Sequence, residues 1–379
     1  MSDLHSNTVA FVAGSQIPPS PPPAKDRGAV KWLRDNMFSS VANGILTVIA
    51  ALVIITAVPA ILQWAFIDAV WSAGSLSECR EIAAANGVEG AFACWAVINE
   101  RFNQFLFGFY PNELLWRPVL AFVLMFVAMA PVLFRSLPRQ MLWFSLAYPF
   151  LAYFLIWGGL GLEPVESSKI GGFLLALIIG VTGIVASLPF GVLLALGRKS
   201  DLFFIKTICV VFIEFIRGVP LITLLFVASS VLNYFFPPGT ALDLILRVVI
   251  MATLFSSAYM AEVIRGGLAA LPQGQYEAAD SLGLDYWKSM RLIILPQALK
   301  ISIPGIVNTF IGLFKDTTLV SVIGLLDPVG MITPIRADSN WNGLVWEFYV
   351  FVALFFFAFC FCMSRYSMYL EKKLKTDNH

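Results

Sequence analysis

Histidine is nearly missing from this 379-residue chain, and its two copies, His5 and His379, lie at opposite ends. Imidazole-based metal binding or acid–base chemistry therefore has no partner to work with. Cysteine is also sparse: Cys209, Cys360 and Cys362 fall inside apolar runs, where a small inert thiol is the ordinary reading, and no metal-ligand spacing occurs. No G-x-x-x-x-G-K-[ST] phosphate loop is present, including around Gly191 to Lys199 where glycine and lysine come closest, so the chain cannot hydrolyse ATP alone. Charged residues make up only 13%, about half the share of an average soluble protein, and the formal net charge of +1 offers no basic stripe for nucleic acid. What is abundant is apolar: 59% hydrophobic residues, 33 Phe, 10 Trp and a mean hydropathy of +0.80 leave too little polar surface for a water-soluble body. The composition defines an integral membrane protein, all-α and polytopic.

About 20 apolar residues cross roughly 30 Å of hydrocarbon as a helix. Eight stretches meet that length, at about 41–63, 116–134, 141–161, 171–197, 212–234, 244–264, 301–325 and 344–364. Residues 1–35 contain PPSPPPAKDRG without apolar periodicity and read as a disordered, proline-stiffened tail. A cleaved signal peptide is not expected, because the first long apolar run begins near Val41 and exceeds an h-region. With the N-terminus inside, the inner loops and tails collect groups of four, two, four, four and four basic residues, 18 of the 25. The positive-inside bias thus selects cytoplasmic N- and C-termini, consistent with an even number of spans.

In that orientation residues 67–115 are external, with Glu78, Glu81, Glu89, Glu100 and Glu113 outnumbering Arg80 and Arg101. Cys79 and Cys94 lie in this segment. Two readings stand for them: a disulfide closing a short loop in an oxidising periplasm, or two unpaired thiols. The run ERFNQFLFGFY reads as an amphipathic helix lying on the membrane surface.

The one long inner loop, about 265–300, holds the most informative text. Pro272 and Gly274 make a turn, Gln275 to Leu282 can form a short helix, and Gly283 suits the left-handed position that ends it. Asp285 suits an N-cap for a second helix, and Pro296 the first turn of the next span. Glu277 favours the positive end of the helix dipole, Ala278 and Ala279 are small enough for close approach, and Leu282 and Leu284 offer exposed apolar anchors. A helix of two turns is not stable alone and calls for a docking partner.

These residues spell E-A-A-x-x-x-G followed after nine residues by I-x-L-P, with Glu277, Ala278, Ala279, Gly283, Ile293, Leu295 and Pro296 at every fixed position. The pattern resembles the coupling motif of ABC importer permeases. Over about 167–370 the segments FIEFIRGVPL, AYMAEVIRGGL, GQYEAA, LPQALKISIPGIVN and FKDTTLVSVIG resemble, in order, the polar amino acid subgroup of type I importers. The resemblance implies a five-span permease core formed by the last five spans, preceded by a three-span extension over 36–166 and followed by a cytoplasmic tail at 371–379. That layout is similar to the larger permease of general L-amino-acid importers. It further implies a second, related permease subunit, two cytoplasmic ATP-binding subunits that hold ATP and Mg, a periplasmic solute-binding protein and an amino-acid substrate. The chain itself would need no cofactor and would not be an enzyme.

Charges inside spans are costly, about 2.5–3.5 kcal/mol each near the bilayer centre on insertion scales. Glu214 with Arg217 and Glu262 with Arg265 repeat E-x-x-R-G, a spacing at which each pair can share a helix face, with the Arg snorkelling to water or, alternatively, contacting substrate. Gly218 followed by Pro220 is expected to break or kink the fifth span. Lys315 and Asp316, adjacent and so about 100° apart, cannot pair along a helix; an unwound stretch over Lys315 to Thr318 would resolve this. Together with Thr317 and Asn308 they are candidates for lining a translocation path, or else they hold two permeases together. The leading expectation is the permease of an ATP-driven, binding-protein-dependent importer of polar L-amino acids. The alternative is an ion-coupled secondary transporter in which Lys315, Asp316, Glu262 and Glu214 bind ions directly.

Overall fold

A computed structural model describes residues 28–133, 137–235, 237 and 242–376. Most of the tail at 1–35 and both histidines lie outside the described residues. Among those described no β-strand occurs, only isolated bridges.

The chain forms two compact units. The smaller comprises residues up to Ala69 together with Gly90–Ala93. It holds α1 (Gly28–Asn36) and α2 (Val41–Leu62), the latter ending in a π-helical turn, Gln63–Ile67. The segment read as tail is therefore helical from Gly28 onward. Ser40 starts α2 by accepting a hydrogen bond from the Asn43 amide at 3.2 Å, which satisfies one of the orphan donors of a helix N-terminus. The α2 sequence is apolar on all sides, as a span facing lipid requires.

The larger unit begins at Val70. In order it contains α3 (Leu76–Ala85), α4 (Ala96–Glu100), α5 (Phe102–Phe107), α6 (Trp116–Leu133), α7 (Leu142–Trp157), α8 (Gly172–Arg198), α9 (Phe203–Gly218), α10 (Leu221–Phe226), α11 (Leu244–Ala269), α12 (Gln273–Ser281), α13 (Tyr286–Ser289), α14 (Leu295–Asp316), α15 (Ile332–Arg336) and α16 (Trp346–Thr376). Across the described residues seven helices are long and apolar enough to cross a membrane, or eight if the bent pair α9–α10 counts as one span. That pair turns by 102° between Gly218 and Leu221, where proline supplies no backbone donor. The last helix runs to Thr376, through the segment read as a tail.

The core sits where α8, α11 and α14 pack together. The boundary drawn at residue 166 is not a break in packing. Ala121 of α6 and Leu155 and Ile156 of α7 are buried in the same cluster as Leu175, Ile179 and Val248. On the N-terminal side of that boundary, Tyr110 donates its hydroxyl proton to the Ile156 carbonyl at 2.8 Å.

Cys79 and Cys94 are joined in a disulfide, with Cα atoms 6.1 Å apart. The segment around this bridge is laced to the stretch leading into α16 and to the first turns of that helix. Leu76 N–H donates to Asn340 O at 2.8 Å, Cys94 N–H donates to a carboxylate oxygen of the buried Glu347 at 3.3 Å, and Arg101 pairs with Asp338. Phe105 is only 2% exposed and its ring packs 6.0 Å from Phe348 and 5.3 Å from Phe351. Within ERFNQFLFGFY, α5 turns Phe105 into the protein body, while Phe102 and Phe109 stay exposed.

Candidate functional site

The loop after α11 turns at Pro272 and enters α12, whose N-terminal half is tied back to the spans at three points. Tyr276 donates its hydroxyl proton to the Leu268 carbonyl at 3.2 Å and receives a hydrogen bond from Lys199 Nζ at 3.1 Å. The same ammonium lies 4.7 Å from the Tyr276 ring centroid, a cation–π contact. Gln297 on α14 donates to the Gln275 side chain at 2.9 Å. These anchors fix which face of α12 is free. Glu277, Ala278 and Leu282 are exposed, Leu282 at 72%. Ala279, read above as part of a face open to another surface, is instead fully buried within the chain, and Leu284 is half-buried rather than an exposed anchor. The reason is periodicity: Ala279 lies three residues beyond Tyr276 and shares its inward face.

Gly283 has φ +68°, the left-handed position, and its N–H donates to Asp280 O at 2.9 Å. Asp285 caps α13 by accepting from the Lys288 amide at 2.8 Å; these contacts hold its carboxyl below the usual carboxylate range. Between α13 and α14 the backbone widens to a π-helical turn, Met290–Ile294, with Ile294 buried and Ile293 half-buried. Leu295 is half-buried, and Pro296 is exposed in the first turn of α14.

The intramembrane charges divide into two separate places. At the end of the spans nearest α12, Arg198 from α8, Glu214 and Arg217 from α9, and Glu262 and Arg265 from α11 form one cluster. Arg198 lies 2.7 Å from Glu214 and 3.0 Å from Glu262, Arg265 is 3.0 Å from Glu262, and Arg217 is 3.6 Å from it. The i,i+3 pairing holds for Glu262 with Arg265 but not for Glu214 with Arg217. Glu214 turns to the neighbouring Arg198, while Arg217 leans toward α11, its guanidinium 5.6 Å from the Tyr259 ring centroid.

The second place is a small cavity among α8, α10, α11 and α14. Ile179, Leu221, Leu225, Val248, Ala252, Leu313, Val320, Thr317 and one carboxylate, Asp316, line it. Lys315 and Asn308 are exposed and do not line it. The expected unwinding over Lys315 to Thr318 does not occur. The helix continues to Asp316 and tightens into a 3₁₀ segment, Thr317–Ile323, because the Thr317 and Thr318 hydroxyls satisfy the Phe314 and Lys315 carbonyls at 2.8 and 2.9 Å. Asp316 and Thr317 are the polar residues among those lining the cavity.

Two buried groups escaped sequence reasoning. Arg247, 7% exposed, donates to the Ala228 and Ser229 carbonyls at 3.0 and 2.7 Å and caps the π-helical end of the bent span, with its Nε unpartnered. Ser256, 2% exposed, has an unpartnered hydroxyl in α11. Nor does anything in the sequence near Arg198 show that two glutamates converge on it.

Helices long and apolar enough to cross a membrane at least seven times among the described residues, with a long loop folded into an anchored helix whose outer face is exposed, give the layout of a polytopic membrane subunit. Comparison with known proteins agrees. Residues 187–376 match the family described as binding-protein-dependent transport system inner membrane component. The chain is 52% identical over 430 positions, covering 97% of it and 99% of the relative, to the glutamate/glutamine/aspartate/asparagine transport system permease protein BztC of Rhodobacter capsulatus. It is 46% identical over 363 positions, 95% of this chain and 96% of the relative, to the inner membrane amino-acid ABC transporter permease protein YhdY of Escherichia coli. The probable glutamine ABC transporter permease protein GlnM of Bacillus subtilis is 34% identical over 211 positions, which are 94% of that protein but 55% of this one. The chain belongs to the family of binding-protein-dependent transport system inner membrane components. It is an ABC importer permease, a membrane subunit that is not itself catalytic, and the ion-coupled alternative is set aside.

Proposed function

We propose that this chain is one permease subunit of an importer that carries polar L-amino acids into the cytoplasm at the expense of ATP. A periplasmic solute-binding protein delivers the substrate, a second and related permease completes the path, and two cytoplasmic subunits holding ATP and Mg supply the work. The observation that carries this reading is the geometry of α12: pinned to three spans on one face and exposed at Glu277, Ala278 and Leu282 on the other. An ATPase that grips the free face displaces the pinned face with it. Nucleotide then acts through differential affinity for two arrangements of the spans. The path runs past the cavity at the α9–α10 break, where Asp316 is the lining carboxylate. Both termini are cytoplasmic, and the Cys79–Cys94 segment is periplasmic, where a disulfide persists.

The amino-acid substrate follows from the relatives, whose names include transport of glutamate, glutamine, aspartate and asparagine. The test is reconstitution of the complex with its ATPase and binding protein in liposomes. Uptake of radiolabelled glutamate or glutamine should require ATP and the binding protein together; accumulation driven by an ion gradient without the ATPase would overturn the proposal. Cysteine probes report the contact directly: one at Ala278 or Leu282 should crosslink to the ATPase in intact cells, and one at Ala279 should not.

A further inference from the structure

Glu262 is the meeting point of three helices at the end of the spans that carries α12. Its two oxygens are shared by Arg198, Arg217 and Arg265, and its side chain, 16% exposed, is the least exposed of the five in the cluster. A carboxylate so placed is costly to leave unpaired, and three guanidiniums deprived of it repel one another. The cluster is continuous with α12: Arg198 is followed directly by Lys199, whose ammonium holds Tyr276. At the other end, Arg217 immediately precedes Gly218, where the span turns by 102°.

We propose that Glu262 is a positioning residue that relays displacement of α12 to the hinge at Gly218, through Tyr276, Lys199 and Arg198 on one side and Arg217 on the other. This rests on the reading that α12 receives the ATPase. Two features mark a relay in place of a fixed staple. Arg198 is forked between Glu214 on α9 and Glu262 on α11 at 2.7 and 3.0 Å, so it can favour either helix without losing a counterion. The contact nearest the hinge, Arg217 to Glu262, is the longest of the cluster at 3.6 Å. Rigid helical backbone on each side carries the displacement between these contacts.

The experiment measures substrate imported per ATP hydrolysed by the full reconstituted complex. For Glu262→Gln we expect binding-protein-stimulated ATP hydrolysis within about twofold of the parent and import per ATP lowered at least tenfold, with Glu262→Asp recovering most of it. Lys199→Met, which cuts the link to Tyr276, should lower the ratio likewise, and the double variant should be no worse than the poorer single one. An unchanged ratio in either single variant with the complex intact overturns the proposal, as do single effects that multiply in the double variant. If transport and hydrolysis fall in proportion, the cluster is merely structural and the relay is refuted. Should Glu262→Gln fail to assemble, Lys199→Met alone decides by the same ratio. Failure of the parent complex to import with ATP would instead count against the importer reading itself.

Discussion

Gly283 and Asp327 show how single positions set terms for this fold. A Cβ at Gly283 would meet nothing within 4 Å, so replacement is opposed by backbone conformation alone, about 1–2 kcal/mol for an L-residue held in the left-handed region and more when β-branched. Gly283→Val is expected to reduce ATP-dependent uptake severalfold with normal membrane insertion, and Gly283→Ala less; uptake rates normalised to immunoblot signal check this. Asp327, wholly buried outside the spans, accepts from the Gly330 and Val329 amides at 2.8 and 3.3 Å, yet burial outweighs these donors and pushes its carboxyl up to about 6. A carboxyl raised above its ordinary 3.8 adds no cost while protonated in both states, and becomes unfavourable as pH rises through about 6. The parent should therefore lose stability from pH 4 to pH 8, by up to ~3 kcal/mol, while Asp327→Asn, which has no carboxyl to ionise at this position, should lose correspondingly less over that range. Melting curves of purified protein in detergent across that range decide it.

At the scale of elements, sequence and structure agree where a signal is local and part where it is not. The Gly218–Pro220 break, the Gly283 stop and the Asp285 cap were legible because each depends on the backbone chemistry of one or two residues. The inward turn of Ala279 and the parting of Glu214 from Arg217 were not, since each depends on what a neighbouring helix presents: the Tyr276 anchor in one case, Arg198 in the other. The cavity at Asp316 needed four elements to be placed before it existed. Contact between α11 and α14 gives a paired prediction. A Cβ on Gly267 would sit 2.5 Å from the Ala298 carbonyl oxygen and collide with the Ser302 hydroxyl, whereas one on Gly266 would meet nothing within 4 Å. Gly267→Ala should force the two helices apart and lower yield and melting temperature, by about 1–3 kcal/mol for an overpacked site, while Gly266→Ala stays near the parent. Size-exclusion profiles of the two variants, purified side by side, distinguish the outcomes.

At the scale of the whole molecule, the disulfide closes a loop of sequence separation 15, worth ~3 kcal/mol in the chain-entropy model. The paired substitution Cys79→Ser and Cys94→Ser should lower the melting temperature, and a reductant should do the same to the parent but not to the variant; identical curves for all samples would show that the bridge adds nothing. The number of spans and the permease core were readable from run length and the loop motif. The membership of α6 and α7 in the core's own packing was not, because apolar helices carry no mark of which neighbour they meet.

The lacing of residues 76–105 to residues 338–351 has a practical corollary for protein engineering. A shortened permease trimmed to begin near residue 167 would strip Asp338 of its arginine, Glu347 of its amide donor and Phe348 of its aromatic seat in one cut. Hybrids with compact homologues should therefore exchange residues 338–351, which include the first turns of α16, together with the N-terminal third, as a single cassette.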